Sequence, residues 1–143
     1  MQVKIEFYEL QSLVRQKTGR EIVLSAVDVR TVRVEAKVKV KVPLLGEMEK
    51  NIGMNVSVEQ IEGNDIWLKY DGGMGTDMLV GAMLTFLASD PEAAKMMEKT
   101  PGNGIVVHLD EIKEARKVLD VVELTDIVFM NDAMDIEVKF KDC

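Results

Sequence analysis

Thr31-Val-Arg-Val-Glu-Ala-Lys-Val-Lys-Val-Lys-Val42 is the stretch that decides the fold. Val32, Val34, Ala36, Val38, Val40 and Val42 alternate with Thr31, Arg33, Glu35, Lys37, Lys39 and Lys41. Strict period two specifies a strand with one dry face and one wet face. At ~3.3 Å per residue the strand spans roughly 40 Å, against a usual length of about five or six residues. In a small domain such a strand is expected to twist or curve around something.

Its partner follows. Ile52, Met54, Val56 and Val58 alternate with Asn51, Gly53, Asn55, Ser57 and Glu59. Matching the apolar faces requires paired residue numbers to sum to an even value, and a sum of 90, which leaves a three-residue loop, pairs Val38 with Ile52, Val34 with Val56 and Lys41 with Glu49. Pro43 then stands opposite Glu47, and Leu44-Leu45-Gly46 is the loop, with Gly46 in the left-handed position. The apolar parity switches between Val58 and Ile61, so a bulge near Glu59-Gln60 is expected to bend the sheet. Gly63-Asn64-Asp65 turns the chain into Ile66–Tyr70, giving an antiparallel meander.

Outward from this meander, Val3, Ile5 and Phe7 alternate at the start, and Ile22 to Val29 reads as a strand. Between them Tyr8 to Lys17 reads as a helix with Leu10, Leu13 and Val14 on one face and Gly19 at its end. No charged residue falls between Asp77 and Asp90, so a helix from Thr76 or Asp77 to Ala88 is expected to be buried on nearly every side. A second helix is expected at Asp90-Pro91-Glu92, with Asp90 as cap. A strand follows over Ile105–Leu109, then a third helix capped by Asp110 with Ile112, Ala115 and Leu119 on one face. An Asn131-Asp132 turn sets Ile127 and Phe129 against Ile136 and Met134. The fold class is α+β, a single domain over residues 1–143: a long curved antiparallel meander packed on an apolar helix, with short additional helices.

The chain carries 25 acidic against 18 basic residues, a net charge of −7, which argues against nucleic-acid binding. The single cysteine, Cys143, allows no intramolecular disulfide and suits a reducing, cytoplasmic compartment. MQVKIEFYEL lacks the basic and apolar regions of a signal peptide. No run reaches the ~18 apolar residues of a membrane span, so stable membrane insertion is not expected.

Chemistry-bearing residues are sparse. His108 is the one histidine and falls on the wetter face of its strand. No second histidine or usable cysteine accompanies it, so no metal site is expected. Asp71-Gly72-Gly73-Met74-Gly75-Thr76 runs into a helix and offers backbone N–H groups to an anion. It lacks the Lys-Ser/Thr of a P-loop and reads first as a turn. Arg33, Lys37, Lys39 and Lys41 form a basic stripe suited to phosphates or headgroups, with Glu35 and Glu49 as partial balance. Asp126, Asp132, Asp135 and Glu137 cluster near the last hairpin without calcium-loop spacing. Ten methionines suit either core filling or an adaptable apolar lining. With no Ser/His/Asp order and no Cys/His pair, the chain reads as a non-enzyme without a cofactor.

The order of elements carries a resemblance. The Tyr8–Lys17 helix, the long meander, the apolar Met78–Ala88 helix and the segment from Gly104-Ile-Val-Val-His-Leu-Asp-Glu-Ile to Val138-Lys-Phe-Lys resemble the tubular lipid-binding superfamily. They are also similar to small uncharacterised bacterial proteins assigned to that fold. The resemblance implies a curved sheet wrapping a helix, with lipids or other apolar molecules bound between them.

The expected function is therefore non-enzymatic binding of a lipid-like molecule. The lining residues are Val34, Val38, Met54 and Val56 from the sheet and Met78, Met83, Phe86 and Leu87 from the helix. The rival for that space is a close-packed core. The alternative function is a homodimeric interaction module without a ligand, in which long strands cover their edges by pairing across a two-fold axis.

Overall fold

The computed structural model describes residues 1–72, Thr76, Val80, Gly81, Leu84, Ser89, Pro91 and residues 93–141; at Lys17, Thr18, Val38, Val40, Ala93 and Glu114 only the backbone is described. The strands are β1 (Gln2–Glu6), β2 (Ile22–Asp28), β3 (Thr31–Val42), β4 (Gly46–Glu62), β5 (Asp65–Gly72), β6 (Met97–Thr100), β7 (Gly104–His108), β8 (Val122–Met130) and β9 (Ala133–Phe140). The α-helices are α1 (Phe7–Thr18) and α2 (Lys113–Leu119), with 3-10 turns at Ala93–Lys95 and Leu109–Glu111. Thr76, Val80, Gly81 and Leu84 are helical, inside the stretch expected to form the apolar helix.

The architecture is α+β, built on a long antiparallel meander. Six strands run in the order β2-β3-β4-β5-β7-β6, and a separate sheet runs β1-β9-β8. Strand β3 has the bounds that its alternation predicts. Its pairing with β4 differs from the expected register by two residues: Val34 faces Met54, Ala36 faces Ile52, Lys39 faces Glu49 and Lys41 faces Glu47. Turn chemistry explains the shift. Pro43 presets the first turn position, Leu44 has φ +73°, and the Leu45 N–H donates to the Val42 carbonyl at 3.2 Å. That is a type II turn, and Gly46 at φ +80° opens β4 directly behind it. The loop is therefore Pro43-Leu44-Leu45.

The expected bulge is present. Val58 pairs with Leu68 and Gln60 with Trp67, leaving Glu59 without a partner position in β5. Further bulges interrupt β2 between Ala26 and Asp28 and β8 between Leu124 and Asp126. Each adds local bend and twist.

One face of the six-stranded sheet supplies two contiguous cores. The first packs Val32, Val58 and Ile66 against Phe7, Leu124, Ile127 and Phe129, so the β1-β9-β8 sheet covers this part of the meander. Phe7 starts α1 rather than ending β1, and its ring meets that of Phe129 with centroids 6.4 Å apart. The second joins Met54, Tyr70 and Ile105 to Val80 of the helical stretch. Val34 and Val56 pack against both.

Local signals account for α1. Glu6 and Glu9 form a reciprocal capping box, and Gly19 at φ +73° ends the helix with its N–H on the Arg15 carbonyl at 2.8 Å. Leu10 joins the core, whereas Leu13 is exposed. Two helix expectations are corrected. After Pro91 the described residues form one 3-10 turn and then β6, which the helical reading missed; Asp90 and Glu92 lie outside the described residues. Asp110 sits inside a 3-10 turn, and Ile112 precedes α2 at its cap position.

Candidate functional site: the β3–β4 arm

The structure brings together some residues of the expected lipid-like lining. Val34, Met54 and Val56 share the core face and belong to one apolar cluster with Val80 and Leu84. Met54 is buried, and Tyr70 and Val80 are 1% and 0% exposed. The side chain of Val38 is not described, and Met78, Met83, Phe86 and Leu87 lie outside the described residues. Val38 pairs with Lys50 rather than Ile52, one step beyond the buried end of the sheet.

The other candidates resolve into local networks. His108 Nδ1 lies 2.7 Å from Asp65 Oδ1 and its Nε2 3.4 Å from Glu98 Oε2. This joins neighbouring strands β5, β7 and β6. The hydrogen bond to Asp65 raises the His108 pKa above its ordinary 6.5, burial opposes this, and Glu98 adds to the rise. Within the expected acidic cluster, Asp126 meets Arg30 and stands opposite Glu137. Of the glycine loop, residues 73–75 lie outside the described residues, and Gly72 closes β5. Among the described residues no group of three or more His, Cys, Asp or Glu is arranged to hold a metal ion. No described helix is long and apolar enough to cross a membrane.

The basic stripe leads to a feature that sequence reasoning missed. Strand β2 stops pairing at Ile22 opposite Ala36, and β5 stops at Gly72 opposite Met54. From Lys37–Asn51 to Val42–Gly46, β3 and β4 pair only with each other among the described residues. These six paired positions make a two-stranded arm about 20 Å long at ~3.3 Å per residue. Residues 46–51 are all exposed, whereas Ile52 at the arm's root is buried.

The arm has two unlike faces. Lys37 opposite Asn51, Lys39 opposite Glu49 and Lys41 opposite Glu47 form one. Val38 opposite Lys50, Val40 opposite Met48 and Val42 opposite Gly46 form the other. Met48 is exposed, and at the tip Leu44 is 104% and Leu45 72% exposed. At the root, Arg33 donates from Nε to Glu35 at 3.1 Å and from its guanidinium to Asn55 at 3.3 Å. Beside it an open hollow of about 420 Å³ is lined by Gly19, Arg20, Glu21, Lys37, Lys39 and Glu49.

The signal for the arm was a mismatch of lengths. The Ile22–Val29 segment is too short to accompany the whole of Thr31–Val42, so the far end of the long strand had to lack a neighbour on that side. Gly46-Glu-Met-Glu-Lys50 holds one large apolar residue and has no strand pattern of its own; the expected hairpin already placed Glu47 to Lys50 beside the long strand. It forms a strand because β3 offers it a continuous ladder. No protein-family model matches the chain, and no curated protein or solved structure matches it.

Proposed function

We propose that the chain is a non-catalytic interaction module that engages another protein through the β3–β4 arm. The arm's exposure supports this reading. An isolated two-stranded hairpin is marginal in water, unpaired strand edges are templates for further pairing, and a large apolar side chain as open as Leu44 gains nothing from its own fold. A partner that covers the Val42, Leu44, Leu45 and Met48 side would remove apolar surface and complete the backbone hydrogen bonds together. A cytoplasmic setting belongs to the proposal and rests on the single cysteine. The test is a photo-crosslinking amino acid at Leu45, with the exposed β5 residue Lys69 as control. A discrete covalent adduct from position 45 and none from position 69 is expected. Equal labelling, or none at either position, overturns the reading.

A second reading is binding of an apolar or amphipathic molecule between the sheet and the helical stretch. Its support is the apolar cluster that Val34, Met54 and Val56 form with Val80 and Leu84. Titration of delipidated protein with a fluorescent fatty acid tests it. Saturable binding lost in Met54→Trp is expected, and no binding overturns it.

A further inference from the structure

We propose that the partner offers the arm an extended acidic strand, in which glutamate or aspartate alternates with apolar residues, and adds it to the open edge of β3. This rests on the arm being an interaction element and names the chemistry of its partner. The slot is defined by where β2 stops. Ile22 fills the place beside Ala36, and beyond it the places beside Lys37 to Val42 are open among the described residues. A guest strand there lies in line with β2 and extends the sheet, the mode by which a peptide adds to a strand edge. It pairs with at most six residues of β3 before it meets Ile22. The open hollow lined by Gly19, Arg20, Glu21, Lys37, Lys39 and Glu49 lies at that end and gives the guest a way out of the sheet.

Charge complementarity names the guest. Lys37, Lys39 and Lys41 are exposed on the charged face of this edge. An acidic residue directly opposite each of them is stabilising, and a basic one destabilising. On the other face the edge positions are Val38, Val40 and Val42, which suit apolar, β-branched neighbours. A guest that satisfies both faces alternates acidic and apolar residues. The β4 edge is a poorer template, because its apolar-face positions are Gly46, Met48 and Lys50. The arm from Lys37 to Asn51 carries four lysines and two glutamates on a chain of net charge −7, so it is a cationic element on an acidic molecule. A second copy does not meet these demands. Two β3 edges across a two-fold axis set lysine opposite lysine in every register that keeps the faces matched. A second copy's β4, in the register of the arm, needs for its Ile52 the place beside Ala36 that Ile22 already fills.

Fluorescence anisotropy on the full chain tests this with three labelled eight-residue peptides. One alternates glutamate and valine, one groups the same glutamates at one end, and one alternates lysine and valine. The first should bind saturably and at least tenfold more tightly than either of the others, and less tightly at high salt, since exposed charge pairs are screened. A variant carrying Lys37→Glu, Lys39→Glu, Lys41→Glu, Glu47→Lys and Glu49→Lys keeps unlike pairs within the arm and reverses the sign of the β3 edge. Its preference should switch to the lysine peptide, which also shows that the arm remains formed. Equal binding of the grouped peptide reduces the contact to plain charge attraction and overturns the proposal. An unchanged preference in the variant places the site elsewhere and overturns it too. So does a Leu45 crosslinker adduct of twice the chain's mass, which makes the occupant a second copy. If no peptide binds while the crosslinker captures a different protein, the acidic strand is overturned and the interaction reading stands. No peptide binding and no adduct remove both.

Discussion

The Arg30 guanidinium meets the Asp126 carboxylate at 2.5 Å and donates to the Ile127 carbonyl at 3.1 Å, tying the β2–β3 turn to the edge of β8. Close by, the Phe129 N–H donates to the Val29 carbonyl at 3.0 Å. The two sheets are therefore joined by hydrogen bonds as well as by the core. Asp126 is also the first residue back in register after the β8 bulge, so the bulge positions the carboxylate that Arg30 meets.

Asp126→Asn should remove the charge and keep the shape. The Arg30 side chain is half exposed and Asp126 about one-third exposed, so solvent screening limits the loss to about 0.5–1 kcal/mol. A double-mutant cycle with Arg30→Ala, read by urea denaturation, should return a coupling energy of that size. A coupling near zero would remove the pair from the list of contacts that join the sheets.

His108 makes the β5-β7-β6 edge pH-dependent. Its pKa is raised in the folded state, chiefly by Asp65. The folded state therefore binds the proton more tightly than the unfolded chain, and the contribution is fully present below the ordinary value near 6.5. It is lost as pH rises through the raised folded value. The difference in stability between wild type and His108→Gln should shrink across that window. A difference that grows with pH would contradict the assignment.

The β8–β9 turn carries avoidable strain. Asn131 and Asp132 have φ +52° and +59°, the type I′ geometry that favours Asn-Gly. Asp132→Gly should stabilise the protein by about 0.5–1 kcal/mol, raising the thermal midpoint. An unchanged or lowered midpoint would show that the Asp132 side chain contributes more than its backbone costs.

Phe129 belongs to the core shared by the two sheets and packs on Phe7. Phe129→Ala should cost about 3–5 kcal/mol, measurable as a fall in the urea midpoint with little change in slope. A loss below 1 kcal/mol would mean that this core collapses around the vacancy.

Local chemistry was legible where it left one solution. The alternation of Thr31–Val42 returned β3, the parity switch located the bulge at Glu59, and Asn131-Asp132 set Phe129 opposite Met134. The β3–β4 register was less legible because alternation fixes parity alone. Ile52 meets the dry face equally well opposite Val38 or Ala36, and Leu44 at φ +73° decided between them. Strand β6 was missed because Met97-Glu-Lys-Thr100 has no pattern of its own and pairs by virtue of its neighbour β7. The arm was missed because it depends on where β2 and β5 stop, a property of three segments at once.

Strand β1 pairs with β9, with Val3 opposite Ile136, and the Phe7 N–H at the start of α1 donates to the Asp132 carbonyl at 2.8 Å. This sets an order of events during synthesis. At ~5–20 residues per second, β1 emerges on the order of ten seconds before the strand it pairs with. The meander from β2 to β5 can zip between sequence neighbours in that interval. Pairing at such sequence separation carries a large loop-closure cost, so the sheet that holds the first residues is completed last. Until it closes, Phe7 and the dry side of Val32 and Val58 are available to a chaperone, and a pause in translation before β9 would prolong that exposure.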